Sequence, residues 1–308
     1  MGGYVGELHT RVDRAEEDTK RFALFSSPFF SIIMTLYLTS DLHVDHYAEN
    51  RTEISNFMER YLPSCDVLCV AGDTADNPKI FIDFYRLAST KYKQIFLTFG
   101  NHDLTVKHDD CFLANPFTQT EEKLTWIKEK LAELPNVTLL DGTTAKIGKL
   151  KIGGCMGFND FSVGSKTWPH SKEWLKNEWQ FWYDNVHWRY MNNDPDTILN
   201  DEMEKLERVI SQKPNIVMTH FIPTAFGIPQ RYEDEISNAF FYFNADEYLA
   251  KMKHKCIWLA GHTHDTGRKV IHLGSKKITL LLNPIGYPME TNSRYDLKNR
   301  SLSAMLDF

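Results

Sequence analysis

Aspartate, asparagine and histidine recur in five short clusters: Asp41-Leu42-His43, Gly72-Asp73, Gly100-Asn101-His102-Asp103, Thr219-His220 and Gly261-His262-Thr263-His264. These side chains ligate divalent cations and move protons. Imidazole and carboxylate together suit Mn, Fe, Zn and similar ions, and no cysteine joins the set, which argues against a structural zinc or iron–sulfur site. Asp41 and His43, like His262 and His264, stand two residues apart, so in an extended segment both members of a pair face one side. Taken singly, each cluster has an ordinary explanation, since a Gly-Asp pair is common and a lone histidine is usually a satisfied structural residue. Taken together, metal ligation explains why so many strand ends supply these residue types.

The elements that must position the clusters are short apolar runs at 36–38, 67–71, 95–99, 216–218 and 257–260. Each has the length and the β-branched or aromatic bias of a buried strand. Amphipathic stretches at 54–61, 79–88, 121–134 and 201–211 carry apolar residues at helical spacing. Strand, loop, helix, strand is the order of an α/β fold. Further runs at 150–156 and 278–282 supply enough strands for two packed sheets or one open sheet. In either, polar clusters past the carboxyl ends of strands converge on one crevice.

These motifs, in this order, resemble the signature of the calcineurin-like metallophosphoesterase superfamily: D-x-H, G-D, G-N-H-[DE], a lone H and G-H-x-H. The resemblance runs from about residue 35 to 282. It implies an α/β (α+β) fold in which a β-sandwich is flanked by helices, in four αββα layers. It also implies two divalent ions, Mn first, with Fe, Zn or Ni as alternatives. Asp41, His43 and His264 would hold one ion, Asn101, His220 and His262 the other, and Asp73 would bridge them. A bridging water, acidified by both ions, would attack phosphorus as hydroxide. His102 would protonate the leaving oxygen, oriented by a hydrogen bond that its ring donates to Asp103, where the family more often carries Glu.

The expected activity is hydrolysis of a phosphate ester, with a phosphodiester of nucleotide or nucleic-acid type placed ahead of a monoester. A protein phosphatase ranks lower, because Thr74, Ala75 and Phe99 stand where that branch carries arginines. The competing class is a metal-binding interaction scaffold without catalysis. Asp45, His46, Asp76 and Asn77 either line the substrate pocket or are solvated loop residues beside the charged site. The run Asn283-Pro284-Ile285-Gly286-Tyr287 resembles the tail of a bacterial and phage branch of the superfamily.

With 35 Lys+Arg against 41 Asp+Glu, the net charge of -6 provides no global basic field, so nucleic acid enters only as a substrate. The five cysteines, Cys65, Cys69, Cys111, Cys155 and Cys256, are odd in number and scattered, which fits a reducing, cytoplasmic setting. The Phe-rich stretch 22–38 is broken by Ser26, Ser27, Pro28 and Ser31 and is shorter than the roughly 20 apolar residues a spanning helix needs, so no membrane anchor is expected. Met34 precedes the first convincing strand. Residues 1–33 are therefore expected to be an N-terminal extension, helical over 7–21 or poorly ordered, and 34–308 to be the catalytic domain. The sequence sets no oligomeric state.

An aromatic-rich insertion is expected at about 158–199, with Phe158, Phe161, Trp168, Trp174, Trp179, Phe181, Trp182, Tyr183, Trp188 and Tyr190. Trp174, Trp179 and Trp182 fit one helical face packed on the core, which outranks stacking on a nucleobase. A Pro/Gly-containing loop at 222–244 is a second candidate for the wall of the site.

Overall fold

The computed structural model describes residues 34–107, 116–162, 169–190, 193–291 and 305–307. The expected extension 1–33 with its helix, Cys111 and Trp168 lie outside them. In chain order the elements are β1 (Thr35–Thr39), α1 (Arg51–Tyr61), β2 (Val67–Ala71), α2 (Pro78–Lys91), β3 (Gln94–Thr98), α3 (Thr120–Ala132), β4 (Val137–Leu139), β5 (Thr143–Ile147) and β6 (Leu150–Gly154). There follow α4 (Lys172–Trp179), α5 (Tyr183–His187), α6 (Pro195–Ser211), β7 (Ile216–Met218), α7 (Asp246–Lys251), β8 (Cys256–Ala260), β9 (Gly267–Leu273), β10 (Lys276–Leu282), α8 (Pro288–Thr291) and β11 (Met305–Asp307).

The strands form two sheets, in the orders β11-β1-β2-β3-β4 and β5-β6-β7-β8-β10-β9. With helices flanking them, this is the two-sheet α/β fold expected from the motifs. Neighbours from β1 to β4 are parallel, as are β6, β7, β8 and β10. Parallel strands are covered on both faces and therefore read as unbroken apolar runs. The five residues of β2 (VLCVA) are all buried. The antiparallel β5 and β9 carry lysine, threonine and arginine toward solvent, which is why apolar runs alone pass over them.

Helix starts follow from capping. The Asn50 side chain accepts from the amides of Thr52 and Glu53, and Asn77 accepts from Lys79 and Ile80 ahead of Pro78. Asp194 before Pro195 caps Thr197, starting α6 six residues earlier than the apolar periodicity predicts. Among the described residues, Cys65, Cys69, Cys155 and Cys256 are free thiols, and all but Cys65 are buried as small core hydrophobes. No helix among the described residues is long and apolar enough to cross a membrane.

The expected tryptophan face is not a single face. Trp179 is fully buried, edge-on to Phe158 and Trp188, whereas Trp174 at the other end of α4 is 37% exposed and stacks on His170. Trp182 lies beyond α4 and packs on Phe240. Burial thus divides the aromatics according to which turn of chain carries them.

Past β10 the chain leaves the second sheet and joins the first. Asn283 Nδ2 donates to the Leu38 carbonyl at 2.8 Å, and the Asn283 carbonyl accepts from Thr39 Oγ1 at 2.9 Å and the Ser40 amide at 3.3 Å. The Ile285 and Gly286 amides donate to the carbonyls of Ser40 and Asp41 at 3.1 and 2.8 Å. This seam lies at the carboxyl end of β1, beside the first histidine-bearing loop.

Candidate metal centre

Asp41, His43, Asp73, His262 and His264 all have left-handed backbone, with φ between 43° and 73°. Only Phe161, Lys213 and Lys255 share this among the other described non-glycine residues, and each such residue costs about 1–3 kcal/mol, so the concentration here marks a constrained site. It also corrects the extended geometry expected of the two paired motifs. Both pairs lie past the ends of β1 and β8, and tight left-handed turns, not strand alternation, bring their side chains together. The turns are held by the neighbouring loops: the Asp41 amide donates to the Gly72 carbonyl (3.0 Å), His43 to Asp73 (3.1 Å), and the His262 amide to Asp41 Oδ1 (2.8 Å). Gly72, at φ 80°, admits the His220 ring, whose Nδ1 would lie 2.6 Å from any Cβ placed there.

One ligand atom each from Asp41, His43 and His264 lie within 4.8 Å of one another, as do those of Asp73, His220 and His262. Asn101 joins the second group, with Oδ1 2.8 Å from His220 Nε2. Asp73 Oδ2 faces both groups, 3.2 Å from His220 Nε2 and 3.8 Å from His43 Nε2, and it is buried without a hydrogen bond. Inward nitrogens meet closely: His43 Nε2 is 3.0 Å from His264 Nε2, and His220 Nε2 is 3.2 Å from His262 Nδ1.

The opposite ring nitrogens explain what these atoms are for. His220 Nδ1 faces the Ala71 carbonyl at 2.9 Å, His264 Nδ1 the Glu290 carboxylate at 2.8 Å, and His262 Nε2 the Phe240 carbonyl at 3.2 Å. Each outer nitrogen donates its proton to an acceptor, so a neutral ring turns a lone pair inward, as in the second coordination shell of metal sites. Burial holds His43 and His262 well below the usual histidine range, hence neutral. Burial also disfavours a charged His220, but Asp73 outweighs it and pushes His220 up to about 9. Burial opposes ionisation of Asp73 too, and His220 and His102 override it to hold the carboxyl well below its normal range. A centre that draws in a proton so strongly accepts a divalent cation in its place. Mixed imidazole, carboxylate and amide oxygen donors fit such an ion.

His102 lies at the rim of the two groups. The hydrogen bond expected with Asp103 goes elsewhere: Asp103 accepts from the amides of Gly100 (2.8 Å), Asp73 (3.0 Å), Thr74 (2.8 Å) and Ala75 (3.2 Å). On the short turn at 102–104 the carboxylate points back beneath both loops, where four amides compete for it. The partner of His102 is Asp76, with Nδ1 2.6 Å from Oδ1. Asp76 is thus part of the site rather than a solvated loop residue. Burial alone would lower His102, yet Asp76 and Asp73 push it up to about 10. Lys123, fully buried, donates to the carbonyls of Asp76 and Thr105 at 2.7 Å each and so ties the two loops together. Asp45 accepts from the Asn77 amide at 2.9 Å, and the His46 ring lies 4.7 Å from Tyr287.

Four residues of the site were given no role at the metal centre from sequence, although Tyr183 and Tyr287 were named in the aromatic insertion and the tail. Tyr183, in the aromatic segment, donates to Asp76 Oδ2 at 3.0 Å. Asp184 accepts from Asn101 Nδ2 at 2.8 Å. Tyr287 lies over His43 at 4.3 Å with its hydroxyl 3.3 Å from His102 Nε2, and Glu290 meets His264 as described. The available signals were the Gly286-Tyr287 tail and the density of aromatics. The loop at 222–244 does form a wall, since the Phe241 ring lies 4.3 Å from His262.

Comparison with known proteins adds the following. The sequence model of one family, described as calcineurin-like phosphoesterase, matches residues 34–266. No curated relative matches the chain. The crystal structure of the phosphopantetheinyl hydrolase PptH from Mycobacterium tuberculosis superposes with a TM-score of 0.66 at 16% identity, covering 89% of this chain and 95% of that one. A metallophosphoesterase from Sphaerobacter thermophilus gives a TM-score of 0.28 at 16% identity, covering 83% and 78% of the two chains. The first of these is a likeness of fold.

Proposed function

The chain belongs to the calcineurin-like phosphoesterase family and is a metal-dependent phosphoesterase, and from that premise we propose that it hydrolyses phosphodiesters at a two-ion centre. Asp41, His43 and His264 would hold one ion and Asn101, His220 and His262 the other, with Asp73 available to both. The observation that carries this is the buried Asp73 Oδ2, which faces inward-turned nitrogens of both groups and makes no hydrogen bond. When bound, the ions supply Lewis acidity at phosphorus and lower the pKa of water toward neutrality.

The chain's own residues do the rest. His102, whose pKa Asp76 and Asp73 raise and which Asp76 and Tyr183 hold, keeps Nε2 3.3 Å from the Tyr287 hydroxyl and donates the proton the leaving oxygen needs. Asp103 keeps the two loops in register. A diester is favoured by charge: besides the carboxylates of Asp76 and Asp73, the residues grouped about His102 are tyrosines and histidines, and Lys107 is tied to Asp76 at 3.1 Å. A singly charged diester needs fewer cations than a dianionic monoester. The substrate class stays that of nucleotide or nucleic-acid esters, the site is supplied with Mn first, and the catalytic domain is 34–308.

The test uses metal-stripped protein reloaded with Mn²⁺ against one aryl diester and one aryl monoester, with Asp73→Asn as control. Faster diester hydrolysis that disappears in the control supports the proposal. The opposite order makes the protein a monoesterase. Metal uptake without hydrolysis of either ester makes it a scaffold.

A further inference from the structure

The stretch from Tyr183 to Trp188 runs along the loop that carries Asn101 and His102. Besides the Tyr183 contact with Asp76, the His187 carbonyl accepts from the Val106 amide at 2.9 Å, and Trp188 Nε1 donates to the Asn101 carbonyl at 2.9 Å. A further contact grips one of the candidate metal ligands by its tip. Asp184, fully buried, takes the Asn101 Nδ2 hydrogen on Oδ1 at 2.8 Å, while its Oδ2 has no hydrogen-bond partner.

An asparagine amide can lie in a pocket in two orientations of nearly equal shape, and only one presents lone pairs to a cation. Asp184 meets Asn101 only through Oδ1, as an acceptor, so it faces the amide nitrogen. The oxygen then faces His220, as the 2.8 Å contact between Oδ1 and Nε2 records. We propose that Asp184 is a positioning residue that fixes the Asn101 amide with its oxygen turned into the metal centre. The role rests on the reading of Asn101 as a ligand, and it gives the aromatic insertion a function in assembling the centre besides packing.

The experiment is calorimetric titration of the metal-stripped full chain with Mn²⁺, together with the melting temperature of the metal-free protein. Asp184→Asn keeps the volume but can either accept or donate, so the orientational bias disappears. One ion should then bind as in wild type, and affinity for the other should fall about 10- to 100-fold, the usual effect of losing an outer partner. The double variant Asn101→Asp/Asp184→Asn reverses donor and acceptor, and a carboxylate at 101 presents oxygen whichever way it turns. It should recover wild-type uptake of the second ion. Unchanged affinity in the single variant, equal loss at both ions, or no recovery in the double variant overturns the proposal. If Asp184→Asn does not fold, the double variant alone decides, by taking up the second ion or failing to. Wild type that binds only one ion overturns the two-ion reading itself, and this proposal with it.

Discussion

At the scale of residues, the two carboxylates around His102 divide the work. Asp76 touches the imidazole and Asp103 touches only amides. His102→Ala is expected to keep its metal content, read by elemental analysis, while hydrolysis falls by about 10²-fold or more. Asp76→Asn should lower kcat with little change in melting temperature. Asp103→Ala should instead destabilise the protein by several kcal/mol, because each buried amide left unpaired costs about 1–3 kcal/mol. Comparable melting temperatures for the Asp76 and Asp103 variants would show that the division is wrong. The residue types grouped in the centre were legible because strand ends collect them jointly. Which acid meets His102 was not, since it depends on a three-residue turn whose hydrogen bonds no spacing rule specifies.

At the scale of elements, the parallel strands except the three-residue β4 were legible as apolar runs, and β5 and β9 were not, because much of each faces solvent. Backbone closeness was likewise hidden: a Cβ on Gly100 would lie 2.2 Å from Asp73 Oδ1 and 2.4 Å from the Asp73 amide nitrogen. Gly100→Ala is therefore expected to lose metal binding by calorimetry and to melt earlier, since backbone must shift to admit the methyl group. A second prediction concerns the entrance to the first sheet. Asp66 accepts from Lys93 at 2.5 Å and from the Thr35 amide at 2.9 Å, and these bonds lower its carboxyl to about 2. A carboxyl lowered by folding stabilises the protein above the unfolded-state pKa of about 4, and that contribution is lost as pH falls toward 2. Urea unfolding of Asp66→Asn should show a deficit at pH 7 that shrinks at pH 3. A deficit of the same size at both values would contradict the assignment.

At the scale of the whole molecule, the family match begins at residue 34, and the residues grouped in the centre span 41 to 290. A chain lacking residues 1–33 is expected to bind Mn²⁺ and hydrolyse the diester as the full chain does, and loss of metal binding on truncation would refute that boundary. Parallel strands and their polar ends made the α/β class legible but left one open sheet or two packed sheets; the motif resemblance implied the two that form.

The seam between the sheets has a dynamic consequence. Binding loops are usually drawn from the parts of a protein that open most easily. Here the amides of Ser40, Ile285 and Gly286 stitch the loop after β10 to the loop after β1, so opening this rim means breaking a run of backbone hydrogen bonds. In deuterium exchange these three loop amides should be among the last to label, keeping pace with the buried strands. The rim of the reaction centre that this seam carries is then expected to open together with the strands flanking it.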